Sequence, residues 1–282
     1  MLFFRLTCQK AQVCLVLLLL LFFSVNLSAQ GRAHNTGQSL PLWELGVAAG
    51  YVSIPYYRGS ASSRDAVVPM PLAIYRGDNE VKKAQNPRLF SPSFAVGLPV
   101  PEGGQTGVRQ NMPRLDATLE FGPKLTAILW EKPGWSLSLS APLRAVTSIS
   151  SRQVDLQGWV FAPYLHYVAT NKGKNGWTLN VALGPQYGTK RFHQYYYAVS
   201  ENYVTSERVA YNARSGYGGS RITVYAQKTF SRLWLSAFMR YDELSGASFI
   251  DSPLIEKNTA LFGGFVIGWV FAKSPQQVFL AK

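Results

Sequence analysis

The feature that most constrains the fold is an alternation of apolar and polar residues that runs through the chain from Leu42 onward. Residues 116–130 show it most clearly. One set of alternate positions holds Ala117, Leu119, Phe121, Leu125, Ala127 and Leu129, and the other holds Asp116, Thr118, Glu120, Lys124 and Thr126. Because successive side chains of a strand point to opposite faces, this period predicts β-strands with one apolar and one polar face.

The same pattern, bounded by turn residues such as Gly, Pro and Asn, predicts further strands and no convincing helix. The predicted strands are 43–52, 67–75, 94–100, 116–130, 135–141, 158–167, 177–184, 191–197, 221–228, 233–241 and 261–271. Single-chain bacterial barrels have even strand counts, so one strand is missed or one segment is over-assigned, and we expect about twelve.

Alternation alone leaves two architectures open, since the apolar face of a strand points to a core in a soluble sandwich and to lipid in a membrane barrel. Two features of composition favour lipid. Charged residues reach only 15%, against about 25% in ordinary soluble domains. Aromatic residues cluster at strand ends, as membrane-interface girdles require, at Trp43, Tyr51, Tyr75, Trp130, Trp135, Trp159, Tyr167, Trp177, Tyr187, Trp234 and Tyr241. We therefore predict a transmembrane antiparallel up-and-down β-barrel, with a periplasmic sandwich as the alternative.

The first 29 residues have the parts of a secretory signal peptide. Arg5 and Lys10 precede an apolar run over 13–23, which is too short to span a bilayer as a helix, and we predict cleavage after Ala29. Residues 30–41 then form an N-terminal periplasmic segment, 42–271 the barrel and 272–282 a C-terminal tail. Both cysteines lie in the signal peptide, so the mature chain has no disulfide and no cysteine chemistry.

The chain is strongly basic, with a formal net charge of +13. Export excludes nucleic acid, so the predicted partners are anionic surfaces: outer-membrane lipid, lipopolysaccharide or peptidoglycan. Five charges on polar faces are candidate lumen-facing residues, namely Asp116, Glu120, Lys124, Arg221 and Arg240. Such charges either tune a pore or pair with one another inside a narrow barrel, and we favour the narrow or plugged case.

Catalytic and metal sites have little support in the sequence. The mature chain has three histidines, His34, His166 and His193, and a lipid-modifying enzyme would need a serine close to one of the last two. We predict no enzyme, no cofactor and no transition-metal site. Acidic residues Asp242, Glu243 and Asp251 leave a loop calcium site open, and the tyrosine run 195–197 is interpreted as interfacial girdle.

Several short motifs, in order, resemble the MipA/OmpV family of outer-membrane proteins, from about Trp43 to Phe271. They are LGVAAGY at 45–51, YRGS at 57–60, NMPRLD at 111–116, LEFGPK at 119–124, YAVS at 197–200 and DSPLI at 251–255. The resemblance implies an outer-membrane barrel. It also implies a scaffold that joins a lytic transglycosylase, which degrades murein, to a penicillin-binding protein, which synthesises it.

Two functions therefore remain in competition, both located at the outer membrane. The leading one, supported by the resemblance, is a non-enzymatic scaffold or adaptor between a murein hydrolase and a murein synthase. Its contacts would lie on periplasmic turns and the N-terminal segment. The runner-up, suggested by the candidate lumen charges, is a narrow channel or small-solute uptake pore.

Overall fold

Thirteen β-strands and one α-helix are formed by the residues that the computed structural model describes, which are 39–75, 90–97, 107–150, 153–171 and 176–279. The strands are β1 (Ser39–Pro41), β2 (Trp43–Pro55), β3 (Ser63–Tyr75), β4 (Phe90–Gly97), β5 (Ala117–Lys132), β6 (Trp135–Ile149), β7 (Val154–Phe161), β8 (Tyr164–Asn171), β9 (Trp177–Gly188), β10 (Gly216–Thr229), β11 (Leu233–Glu243), β12 (Thr259–Lys273) and β13 (Gln277–Phe279). The helix α1 is Lys190–Tyr197. The predicted signal peptide and His34 lie outside the described residues.

One antiparallel sheet contains eleven of these strands, in the order β3, β2, β12, β11, β10, β9, β7, β6, β5, β4, with β8 beside β6 and β9. Both β7 and β8 pair with β6 and β9, so the two fill one position. The predicted antiparallel all-β architecture is confirmed. The described sheet has ten positions, against the expectation of about twelve strands.

The polarity of the two faces of this sheet is the reverse of that in a soluble protein. The outer face exposes large apolar side chains to the surroundings, such as Val67, Phe121 and Leu125. The inner face buries polar ones, including Thr118 and Ser140. A soluble sandwich would bury the apolar set, so the periplasmic alternative is wrong and the outer face has the chemistry of a lipid-facing wall.

The wall position filled by β7 and β8 is interrupted at Ala162 and Pro163, inside the segment predicted as one strand over 158–167. Proline has no backbone N–H to donate to a neighbouring strand. The amide of Ala162 instead donates to the carbonyl oxygen of Pro142, at 3.2 Å. The strand prediction was therefore right about both halves and missed the break between them.

The strand predicted over 191–197 is wrong, because these residues form α1. Aromatic residues at alternate positions, such as Phe192 and Tyr196, fit a period of two as well as the four-residue spacing of a helix. In the structure Phe192 and Tyr196 lie edge to face, with ring centroids 5.4 Å apart. The phenyl ring of Phe192 packs on Val146 and Val160 of the inner face, which places the helix inside the sheet's curve.

The two ends of the strands differ in their connections. At one end, the short-turn end, the described connections 133–134 and 230–232 have two and three residues. The connections 76–89 and 172–176 belong to the same end, and residues 76–89 and 172–175 lie outside the described residues. The opposite end, the long-loop end, carries the connections 56–62, 98–116, 150–153, 189–215 and 244–258. The chain termini also meet at the short-turn end, where β1 pairs with β13 and Trp43 of β2 accepts a hydrogen bond from Ser274. None of the helices in the described part of the chain is long and apolar enough to cross a membrane.

Candidate functional site

Loops at the long-loop end pack together over the barrel interior and form what we call the cap. The cap comprises residues 56–62, 107–116, 189–215 and 244–258. Its centre is as dry as the core of a soluble domain, since Leu244, Phe249 and Leu254 are fully buried. The rings of Phe249 and Tyr197 stack with centroids 3.8 Å apart and an interplanar angle of 7°. The loops therefore have their own hydrophobic core, which holds them in one arrangement.

The hydroxyl groups of the tyrosine run anchor helix α1 to two neighbouring cap loops and to the wall strand β5. Tyr195 donates to the carbonyl oxygen of Asp116 at 3.1 Å, Tyr197 donates to that of Arg58 at 3.1 Å, and Tyr196 lies 3.2 Å from the hydroxyl of Thr118. Burial raises the pKa of Tyr195 to about 12 and that of Tyr196 still further. The tyrosine run is part of the cap, and the prediction that it forms girdle is wrong.

Two buried arginines fasten the cap loops to each other through backbone carbonyls. Arg109 donates to the carbonyl oxygens of Tyr196 and Pro113, at 3.0 and 3.3 Å. Arg208 donates to three more, those of Tyr203, Val108 and Gln110. Burial lowers the pKa of Arg109. A guanidinium carries five N–H donors, so each side chain satisfies carbonyls that a loop without regular structure leaves unpaired.

Directly under the cap, three guanidinium groups converge on one carboxylate. Asp242 is fully buried at the end of β11. Its oxygens accept from Arg58 at 2.5 Å, from Arg221 at 3.0 Å and from Arg240 at 2.5 and 2.8 Å. Arg221 also donates to Gln186 at 2.6 Å. The carboxylate is fully used by these arginines, so the calcium site that was left open at Asp242 is excluded there.

The five candidate lumen charges fall into three groups. Arg221 and Arg240 belong to the cluster on Asp242. Glu120 accepts from Arg144 at 2.9 Å on the neighbouring strand, and Lys124 lies on the same face of β5. Asp116 precedes β5 within the cap and pairs with Arg114 at 3.1 Å. Local patterns in the sequence do not single out Arg58 or Arg144, because the first contact joins distant parts of the chain and the second depends on the register between β5 and β6.

The inner face is apolar on one side of the barrel. Trp234 of β11, predicted as girdle, shares its strand face with Ser236 and lies over Gly268 of β12 beside Leu72 of β3. Arg240 covers the ring of Phe262 with its guanidinium carbon 4.2 Å from the ring centroid. Polar residues occupy the opposite side, on β5, β6, β8 and β9, including Lys124, Thr126, Ser138, Ser140, His166 and Asn180.

The fold brings a serine to His193, the arrangement that a lipid-modifying enzyme would need. The hydroxyl of Ser248 lies 3.1 Å from His193 Nδ1. That nitrogen, however, lies 2.7 Å from the carbonyl oxygen of Arg214, which only accepts, so Nδ1 carries the proton. A general base must present a lone pair to its serine. Among the described residues, no group of three or more His, Asp or Glu side chains is arranged to hold a metal ion.

A comparison with models of known protein families identifies the family of this chain. Residues 45–271 match the family described as MltA-interacting protein MipA. The chain belongs to the MipA family. This confirms the resemblance carried by the sequence motifs, and the matched segment begins in β2 and ends in β12.

Other comparisons add less. None of the curated proteins matches the chain. Among solved structures, the chain is similar to the outer membrane protease OmpT from Escherichia coli, with 8% sequence identity and a TM-score of 0.27, over 85% of this chain and 99% of that chain. The similarity is too low to carry an argument about activity. Family membership and the apolar outer face together make this MipA-family chain an outer-membrane β-barrel protein.

Proposed function

We propose that this MipA-family chain is a non-enzymatic scaffold that joins a murein hydrolase, a lytic transglycosylase, to a murein synthase, a penicillin-binding protein. The family description names an interaction with MltA, which supports a binding role. The observation that carries the proposal is the buried core by which the described cap loops pack together over the long-loop end. In such a barrel the loops pack on each other and the inner charges pair with each other. The barrel is therefore rigid and can present a fixed surface to partners.

Two features of the interior argue against transport as the main activity. The cap core covers the long-loop end, and its side chains are fully buried. Below it, Asp242 and Glu120 each bind arginines across the inner face. Charged side chains in a lumen attract and select ions, and charges that pair with each other across the inner face are no longer free to do so.

The short-turn end is the surface we assign to partners. It exposes three basic side chains, Lys132, Lys228 and Arg232, whereas Lys273 is paired with Glu44 at 3.1 Å. In outer-membrane barrels the short turns face the periplasm, where murein and its enzymes lie. Exposed charges at a rim accelerate association with partners of opposite charge, and they give specificity more than affinity.

Co-purification from gently solubilised outer membranes tests the scaffold, with a tag placed after Ala29. Near-stoichiometric recovery of a lytic transglycosylase or a penicillin-binding protein is expected from the unchanged chain. The double variant Lys132→Glu with Arg232→Glu reverses charge at the short-turn end and should lower that recovery several-fold. A matched control, Arg191→Glu with Lys257→Glu, reverses two exposed charges in the cap and should leave recovery unchanged. A barrel that is recovered alone contradicts the scaffold.

A narrow channel is the second candidate, favoured by the polar strip on the inner face. Lys124, Ser138 and His166 line it on three successive wall positions toward the short-turn end. Conductance in planar bilayers separates the two functions. The scaffold predicts no conductance above the baseline for the unchanged chain, whereas steady single-channel steps would establish the channel.

A further inference from the structure

Two polar atoms in the cap region are buried without a hydrogen-bond partner among the described residues: Arg58 Nη2 and His193 Nε2. His193 is fully buried, and the Arg58 side chain is 11% exposed. A buried donor or acceptor that lacks a partner destabilises a fold, so such atoms are rare in native proteins. Two such atoms in one region mark a candidate position for a bound group that supplies the missing contacts.

Both side chains border the same point of the backbone, at Gly218 and Gly219 of β10. A Cβ atom at Gly218 would lie 3.3 Å from His193 Nε2 and 3.7 Å from Arg58 Nη1, and one at Gly219 would lie 3.0 Å from Arg58 Nη2. Gly219 also has a φ of +97°, which favours glycine. The two glycines therefore let an imidazole and a guanidinium approach the strand from two sides.

The electrostatics of this corner favour a negative ligand. Arg58, Arg221 and Arg240 bring three positive charges to the single carboxylate of Asp242. The Glu120 carboxylate is engaged by Arg144 elsewhere on the inner face. A cluster with more cations than anions in a site shielded from water stabilises a bound anion.

The histidine restricts which anion fits. His193 Nδ1 donates its proton to the carbonyl oxygen of Arg214, so Nε2 presents a lone pair and needs a donor from the ligand. Arg58 Nη2 needs an acceptor. A halide offers only acceptor capacity, whereas an oxyanion that keeps one O–H offers both.

We propose that the corner formed by Arg58, His193, Gly218 and Gly219 binds an oxyanion that carries one O–H, as hydrogen phosphate does. The anionic oxygens accept from Arg58, and the O–H donates to His193 Nε2. This site is separate from the partner surface at the short-turn end. The anion-binding proposal is therefore tested independently of the proposed scaffold function.

Calorimetric titration of the purified barrel in detergent tests the site at constant ionic strength and about pH 8, where histidine is neutral. The probes are sodium phosphate, sodium sulfate and sodium chloride. Sulfate matches hydrogen phosphate in charge and shape but carries no O–H. Phosphate should bind at least about tenfold more tightly than sulfate, with chloride weaker still. Equal binding of phosphate and sulfate would overturn the assignment.

Variants locate the binding. Arg58→Gln and His193→Leu should each weaken phosphate binding about tenfold or more, and Arg191→Gln, an exposed arginine on the same helix as His193, should not. His193→Leu leaves the contacts on Asp242 in place, so it tests the site even if Arg58→Gln fails to fold. Unchanged binding in His193→Leu contradicts the proposal.

Discussion

The two ends of the barrel use their residues differently. In the cap, long loops are fixed by a hydrophobic core around Phe249 and by arginines such as Arg109 that bond backbone carbonyls. At the short-turn end, the described turns 133–134 and 230–232 have two and three residues, and Lys132 and Arg232, beside and within them, are exposed. The polar groups of the cap are engaged in contacts inside the chain, whereas exposed basic side chains at the short-turn end can be reached by other molecules.

This difference teaches that loop length alone does not identify a binding surface. Long loops are often the functional ones because they are mobile and varied. Here the long loops are buried against each other, as the stack of Tyr197 on Phe249 shows. Substitutions in the cap should therefore act on stability, and substitutions at the short-turn end should act on binding.

The largest loss of stability is expected from Asp242→Asn. The variant leaves three buried guanidinium groups without their carboxylate, and breaking a buried ion pair in this way costs about 3–5 kcal/mol. Urea unfolding in detergent, followed by tryptophan fluorescence, gives the free energy of unfolding. Asp65→Asn, at an exposed position of β3, is the control and should stay within about 0.5 kcal/mol. An unchanged midpoint for Asp242→Asn would show that the cluster does not hold the cap.

A smaller but more local effect is expected from Phe249→Ala. Removing a fully buried ring leaves a cavity, at a cost of about 3 kcal/mol where the surroundings relax in part. The cap should then open while the sheet persists, so limited proteolysis should cleave within 189–215 or 244–258 before the wall. Val209→Ala, at a side chain that is 61% exposed, serves as the control. Resistance equal to that of the unchanged chain would refute an independent cap core.

The cap should also loosen as the pH falls. Burial, opposed by the hydrogen bond to Arg214 and reinforced by the charge of Arg58, lowers the pKa of His193 from its ordinary value of 6.5. The unfolded state therefore binds the proton more readily, so this contribution to stability is complete above about pH 6.5 and is lost below it. The slope is at most about 1.4 kcal/mol per pH unit. The slope is measured from unfolding midpoints at several pH values, for the unchanged chain and for His193→Leu. Identical slopes would exclude His193 as the source of the pH dependence.

The smallest effect on stability is expected at the short-turn end. Lys132→Glu with Arg232→Glu changes exposed charges, so the free energy of unfolding should shift by less than about 0.5 kcal/mol. The same urea titration checks it. Together with a several-fold drop in partner recovery, this result would separate binding from folding at the two ends. A large loss of stability would instead make the recovery experiment uninformative about contacts.

Period-two alternation was enough to predict the sheet, and the low charge and the aromatic residues at strand ends were needed to predict that its apolar face meets lipid. It worked because one face of each strand, such as Phe121 and Leu125 on β5, meets a different solvent from the other. It failed at α1, where aromatic residues occupy both strand-like and helix-like positions. The Pro163 break was readable in principle, since proline inside a wall strand interrupts pairing.

The ionic cluster was only half predictable. Polar faces identified Arg221 and Arg240, because local alternation places them opposite apolar neighbours. Asp242 was interpreted as a loop acid and Arg58 was not singled out, although the two are bonded across 184 positions of sequence. Such contacts depend on which distant segments the fold brings together, and a local sequence pattern does not carry that information.

That closure has a consequence for how the chain assembles. Most ladders of the sheet join neighbours in sequence, but β12 pairs with β2 along Gly263 to Lys273 against Glu44 to Ser53. Bringing these two segments together requires closing a loop of nearly the whole chain, which costs entropy that each hairpin avoids. One edge of β2 therefore remains unpaired until β12 pairs with it. An assembly factor would matter most at this stage, because it would protect the unpaired edge of β2 from pairing with another chain.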